Sequence, residues 1–314
     1  MLKIPQSPFE SIKLIAFDEY FTELVNLFES GSLPKVMLLN GKKGLGKFTL
    51  IFHFLNFLFS KNEKNPYNVK DKLINTNSKF YNSILDKTCT DVIFLQAVEG
   101  KNIKIDDIRK LKSILTRSSL SNNPRFIIID EVEFLNINSA NALLKTLEEP
   151  NENNYFILIN NQQADLIETI SSRCLKNNIY LSQKKQKQVI EYFTEQKKIN
   201  FTINGQDSLT PGMIFVYDEL YNKHKLNNEE NILLKISILL HAYKKNKDKT
   251  LINMLIFLLE HFFYLLVKEN TNKIDFLINL KSIIINKIND FIIYNLNINS
   301  VLKFIELELK NVRQ

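Results

Sequence analysis

Residues 35–59 read KVMLLNGKKGLGKFTLIFHFLNFLF: a short apolar run, a glycine-rich turn and an apolar helical pattern in direct succession. The run Lys35 to Asn40 predicts a buried strand, and the pattern after the turn predicts a helix to about Phe59. Gly41, Gly44 and Gly46 let backbone N–H groups converge on phosphate oxygens, and the helix N-terminus adds partial positive charge there. Lys47 stands where a side chain reaches the outer phosphates, so Gly41 to Lys47 matches GxxxxGK. The next position of that pattern is Ser or Thr, because its hydroxyl is a ligand of Mg²⁺ in phosphoryl transfer. Here it is Phe48. Thr49 lies about 100° further round a helix of ~3.6 residues per turn and cannot simply replace it. The loop reads as degenerate: no cofactor is required, and any ATP or ADP held there is not turned over.

Four more apolar runs extend the pattern, Asp91 to Gln96, Phe126 to Asp130, Tyr155 to Asn160 and Asn178 to Leu181, alternating with helical stretches. Five strands with intervening helices predict an α/β domain built on a parallel sheet. Ala140, Leu143, Leu144 and Leu147 form one helical stripe within Ser139 to Glu149, which Pro150 ends. Ile105, Ile108, Leu111 and Leu115 form another, with Asp106 as its expected cap. The stretch from Ser60 to Ser78 is polar, rich in Lys and Asn and aperiodic, which predicts a surface insertion. Beyond Ser182 strand signals cease, and Lys187 to Lys197, Met213 to Tyr221, Asn231 to Lys244, Thr250 to Lys268 and Asn299 to Asn311 read as helix. The polar Asn222 to Glu230 reads as a hinge, giving an α/β domain over 1–181, a small helical module over 182–222 and a larger helical one over 223–314.

The 314 residues are 45% hydrophobic and 24% charged, enough for a sizeable core in two or three domains and incompatible with a disordered or collagen-like chain. The net charge of +7 suits a nucleic-acid partner, but a Lys-biased composition gives the same excess without a binding face. Two cysteines, Cys89 and Cys174, and four scattered histidines offer neither a disulfide framework nor a Cys-rich zinc site, so no metal is expected. The opening MLKIPQSPFESIKL lacks the apolar stretch of a secretory signal, which predicts a cytoplasmic protein. Leu251 to Val267 is strongly apolar but interrupted by Glu260 and His261 and short of the ~20 residues of a membrane span, so it reads as a buried helix.

Phe126 to Asp130 followed by Glu131 places two carboxylates at the end of a buried strand, where one acid can hold Mg²⁺ and the next polarise an attacking water. Solvated acids at a strand end are the plainer alternative. Arg173, in Ser172-Arg173-Cys174, has two readings as well: an arginine paired with a local carboxylate, or one offered to a partner.

Taken in order, Asp130-Glu131-Val132-Glu133, then Ser139-Ala140-Asn141-Ala142-Leu143-Leu144-Lys145-Thr146-Leu147-Glu148-Glu149-Pro150, then Ser172-Arg173-Cys174 resembles the AAA+ clamp-loader family. The resemblance covers residues 33 to 181 and implies an AAA+ P-loop domain, then a small helical lid and an all-α collar. It implies that Arg173 acts as a trans arginine finger on ATP bound by a neighbouring subunit, with Ser172 and Cys174 framing it. The implied partners are motor subunits of the gamma or tau kind and a delta subunit in a hetero-pentamer, and through them a sliding clamp and primed DNA.

The departures matter equally. Phe48, the absence of the four-cysteine zinc module common in motor subunits, and Met213 where a second sensing arginine would stand all point to a non-motor subunit. An ATP-hydrolysing gamma or tau motor is the alternative. A DNA-binding AAA+ protein is a third class, for which no helix-turn-helix is evident.

Overall fold

A computed structural model describes residues 8–97, 102–116, 123–195, 199, 201, 209–227, 230–269 and 271–310. The chain forms two compact units, one of residues 1–198 with 209–213, the other of 199–208 with 214–314.

In chain order the first unit comprises α1 (Asp18–Glu29), β1 (Val36–Asn40), α2 (Lys47–Ser60), α3 (Lys79–Leu85), β2 (Val92–Gln96) and α4 (Ile105–Leu115). There follow β3 (Arg125–Asp130), α5 (Ile137–Glu148), β4 (Asn154–Asn160), α6 (Glu168–Ser171), β5 (Leu175–Asn178) and α7 (Gln183–Thr194). The strands make one parallel sheet in the order β2-β3-β4-β1-β5. β1 therefore sits between β4 and β5, and the register pairs Asn40 with both Asn160 and Asn178. Their carboxamides close a ladder across the strand ends: Asn160 Nδ2 donates to Asn40 Oδ1 at 3.0 Å and Asn40 Nδ2 to Asn178 Oδ1 at 2.9 Å.

The sheet is buried on both faces, as parallel sheets are. One face packs on α2 through Met37, Leu39, Phe126, Ile128 and Ile157, and the other on α4 and α5 through Leu38, Ile127, Ile129 and Phe156. Phe126 to Ile129 are fully buried. Asn136 caps α5 by accepting from Ser139 N–H at 2.8 Å. That satisfies one of the helix's orphan donors.

Several local readings change. The fifth strand runs Leu175–Asn178, three residues before the predicted one, because this edge strand carries exposed side chains while the buried Ile179 and Leu181 follow it. α4 starts from Lys104, whose N–H donates to Asp107; Asp106 instead lies in the first turn and pairs with Arg109 at 3.1 Å. Residues 60–78 lie largely at the surface, as predicted, but are pinned to the domain. Ile74 N–H donates to Ile12 O at 2.8 Å, Leu14 N–H to Lys72 O at 3.0 Å, and Tyr67 and Ile74 are buried. Two isolated anchors leave no periodicity to read.

The second unit holds α8 (Pro211–Lys223) from Ile214 onward, then α9 (Ile232–Asn246), α10 (Lys249–Glu269), α11 (Ile274–Tyr294) and α12 (Ile298–Lys310). α9 packs on α10, α10 on α11, α11 on α12, and α12 returns to α9. The predicted helix 187–197 and the predicted hinge 222–230 both lie partly outside the described residues. α11 was not anticipated: its buried stripe, Leu277, Leu280, Ile284, Ile288 and Phe291, is interleaved with Lys and Asn. α10 spans 21 residues, longer than its apolar run suggested, and by length and composition it is long enough to cross a membrane. One face of it, including Leu251, Met254, Leu255, Leu258 and Leu259, is buried within this unit.

Candidate functional site

The glycine-rich loop runs from the end of β1 into the start of α2. Gly41 N–H donates to Asn160 O at 3.2 Å. Gly44 and Gly46 have φ of +78° and +101°, left-handed values that a side chain would strain, and Gly46 caps α2 with no side-chain partner. Lys47 is only 2% exposed. Its ammonium bends back onto the loop, donating to Gly41 O at 2.6 Å and Lys42 O at 2.8 Å. Burial pulls its pKa down to about 8, opposed by the charges of Asp130 and Glu133.

Phe48 points into an aromatic cluster. Its ring lies edge-on to Phe9 with centroids 5.1 Å apart and 5.5 Å from Phe94. Thr49 follows it, half-buried.

The two strand-end acids have different partners. Asp130 Oδ1 accepts from Glu131 N–H at 2.8 Å and from Asn161 Nδ2 at 3.0 Å. Burial raises the Asp130 pKa to about 6, helped by the charge of Glu131 and opposed by those donors and by Lys47. Glu131, at φ +56°, forms an ion pair of 2.8 Å with Lys43 of the glycine-rich loop. The plainer reading of solvated acids is therefore wrong for both residues, which are buried. A loop-bound Mg²⁺ does not fit this donor set: a ring replaces the hydroxyl at position 48, and Asp130 Oδ1 already accepts from Glu131 N–H and Asn161 Nδ2.

Residues 209–213 lie against the same loop. Thr210 Oγ1 donates to Lys43 O at 2.6 Å and Gly212 N–H to Gly44 O at 2.8 Å. A Cβ on Gly44 would come within 3.2 Å of Met213 Cγ, so an apolar side chain occupies the place considered for a second arginine.

Arg173 lies between α6 and β5. Its Nε donates to Glu148 Oε1 at 2.6 Å and its NH2 group pairs with the same oxygen. NH1 donates to Thr169 O at 2.9 Å and reaches Ser172 Oγ at 3.4 Å. The local-carboxylate pairing is thus present, with 31% of the arginine side chain still exposed. Ser172 Oγ donates to Thr169 O at 3.3 Å. Cys174 Sγ donates to Ile170 O at 3.1 Å, and burial pushes its pKa up to about 11, so the thiol stays protonated and acts as a packing group.

The structure thus joins Lys47, Asp130 and, through Lys43, Glu131 in one cluster, whereas Arg173 is held by Glu148, Thr169 and Ser172. Sequence reading missed Lys43, Glu133, Asn161 and Glu148. Glu133 accepts from Asn161 N–H at 3.1 Å. Asn161 was findable by the logic applied to Asp130, as a polar residue just past a buried strand. Glu148 was visible in Leu147-Glu148-Glu149-Pro150, but nothing local names its partner.

Known proteins resemble this chain in sequence and in fold. The family described as DNA polymerase III, delta subunit, matches residues 17–183. DNA polymerase III subunit delta' of Haemophilus influenzae is 39% identical over 80 residues, 26% of this chain and 24% of that protein. Its counterpart in Buchnera aphidicola subsp. Baizongia pistaciae is 28% identical over 185 residues, 57% of this chain and 52% of that one. The chain therefore spans about a quarter to a half of the length of these curated relatives. A solved DNA polymerase III gamma subunit-related protein from Thermotoga maritima shares the fold with a TM-score of 0.50 at 20% identity, over 92% of this chain and 99% of the other. With more than half of its length matched, on the segment that holds the glycine-rich loop, the strand-end acids and Ser172-Arg173-Cys174, the chain belongs to the DNA polymerase III delta subunit family, within the AAA+ clamp loaders.

Proposed function

We propose that this chain is the non-motor, delta-prime subunit of a DNA polymerase III clamp loader, in which Arg173 acts on ATP held by an adjacent motor subunit. One contrast carries the reading: the Phe48 ring is built into the Phe9–Phe94 cluster where a magnesium ligand is needed, while the Arg173 guanidinium stays partly exposed at the surface. A planar, permanently charged guanidinium stabilises charge on a transferring phosphoryl group, an effect worth about 10³ to 10⁵ in rate in comparable reactions.

In this reading the chain's own phosphate loop does not turn nucleotide over. The collar, 223–314, which follows the lid, 182–222, holds the chain in a hetero-pentamer with gamma or tau subunits and a delta subunit. The assembly opens a sliding clamp on primed DNA in the cytoplasm. Steady-state hydrolysis by the purified chain, and by the complex reconstituted with Arg173→Ala, tests it. The expected result is no Mg²⁺-dependent turnover by the chain alone and a slowed site in the variant complex. Appreciable turnover by the chain alone would make it a gamma or tau type motor instead. Unchanged hydrolysis in the variant complex would remove the trans role.

A further inference from the structure

Arg173 is anchored from two sides. Its backbone N–H donates to Ile170 O at 3.2 Å, and Ile170 is fully buried. Its guanidinium rests on Glu148, the last residue of α5, whose preceding Leu147 is buried in the same apolar cluster as Ile170. The run that ends α5 and the Ser172-Arg173-Cys174 segment are thus joined across the molecule at both the side-chain and the core level.

An unrestrained arginine carries about 2 kcal/mol of rotamer entropy, and a planar fork fixed along one edge loses little more when it binds. Glu148 takes the edge formed by Nε and NH2, and Thr169 O takes a donor of NH1. Each terminal nitrogen carries two N–H groups; NH1 directs its pair to Thr169 O and Ser172 Oγ, so the second N–H of NH2 is left for a phosphate oxygen while the plane is held.

Resting on the trans-finger reading above, we infer that Glu148 is a positioning residue for Arg173, orienting the guanidinium toward the neighbouring subunit's phosphate through a hydrogen bond from Nε rather than through charge. The distinction matters, because a carboxylate beside an incoming phosphate also repels it. An amide at position 148 keeps the acceptor and removes that repulsion.

The test is single-turnover ATP hydrolysis by the reconstituted complex, following the rate constant of the site that Arg173 faces, with Glu148→Ala, Glu148→Gln, Arg173→Ala and the Glu148→Ala/Arg173→Ala double variant. Misplacement of a reacting group by about 1 Å can cost about 10²-fold, so Glu148→Ala should slow that site about tenfold or more. Glu148→Gln should stay within about twofold of the parent, and the double variant should be no slower than Arg173→Ala, since coupled residues are non-additive. Size-exclusion elution and thermal midpoint of each complex check that assembly and folding are kept; a Glu148→Ala effect accompanied by lost assembly is judged on Glu148→Gln and the double variant. Three results overturn the inference: Glu148→Ala within twofold of the parent, Glu148→Gln as slow as Glu148→Ala, or a double variant slower than Arg173→Ala. The first of these beside a slow Arg173→Ala defeats only the role of Glu148. An unaffected Arg173→Ala defeats the trans-finger reading itself.

Discussion

Gly212 packs directly on Gly44: its N–H donates to Gly44 O at 2.8 Å, and a Cβ built on Gly212 would lie 2.8 Å from Gly44 Cα. Two backbones approach here as only glycines allow, so the turn that cradles phosphate in related loops is covered from outside by residues 209–213. Gly212→Ala should cost about 1–3 kcal/mol, the usual penalty of overpacking, and lower the denaturation midpoint. Gly44→Ala should cost more, because it adds a side chain at φ +78° and meets Thr210 Oγ1 at 2.4 Å. Equal midpoints for Gly212→Ala and the parent would show that the contact yields easily.

Phe48→Thr restores the hydroxyl of the phosphate-loop pattern but should not restore hydrolysis. Lys47 remains bonded to Gly41 O and Lys42 O, and Glu131 to Lys43. Loss of the ring contacts with Phe9 and Phe94 should destabilise the protein by about 2–4 kcal/mol. A thermal melt paired with an ATPase assay checks both; turnover in the variant would mean that these contacts give way to nucleotide.

Two buried groups oppose each other in mildly acidic solution. Asp130, normally 3.8, titrates near 6 in the folded chain, so between those values the folded state binds more protons and stability falls as pH rises. His53, normally 6.5, is held near 4 by burial, with Nε2 on Ser11 O at 2.8 Å and Nδ1 on Tyr67 Oη at 3.0 Å. There the unfolded state binds more protons, so stability falls as pH drops from about 6.5 toward 4. Asp130→Asn removes only the first effect. The variant should lose stability more steeply than the parent on acidification from pH 6.5 to 4, by at most about 3 kcal/mol. Urea midpoints at several pH values measure this, and parallel curves for the two proteins would refute it.

Tyr67→Phe removes the phenolic partner of a fully buried imidazole nitrogen. It should cost about 1–3 kcal/mol, because the orphaned donor or acceptor keeps its desolvation penalty. If the segment 60–78 were loosely attached, the substitution would leave the midpoint unchanged, and proteolysis within 60–78 would be equally fast in both proteins.

Local chemistry made the architecture legible. A strand buried on both faces is a continuous apolar run, a glycine-rich turn before a helix has few alternatives, and an apolar stripe every three or four residues is a helix face. These properties are settled within about ten residues, so β1 to β4, α2, α5, the loop glycines, Asp130, Glu131 and Arg173 could be read without coordinates, whereas the roles of Glu133 and Glu148 could not. The edge strand β5 and the two buried anchors of 60–78 could not, because exposure at a sheet edge erases periodicity and isolated anchors never create it.

Which polar groups meet was decided only by the folded chain. Lys43 finds Glu131 across 88 residues, Thr210 finds Lys43 across 167, and Arg173 finds Glu148 across 25. Such pairs depend on which strand ends the sheet order brings side by side and on which helix end stops against which turn. Residue type says that a lysine seeks an acceptor; close packing of the β2-β3-β4-β1-β5 sheet and its helices selects which one it reaches.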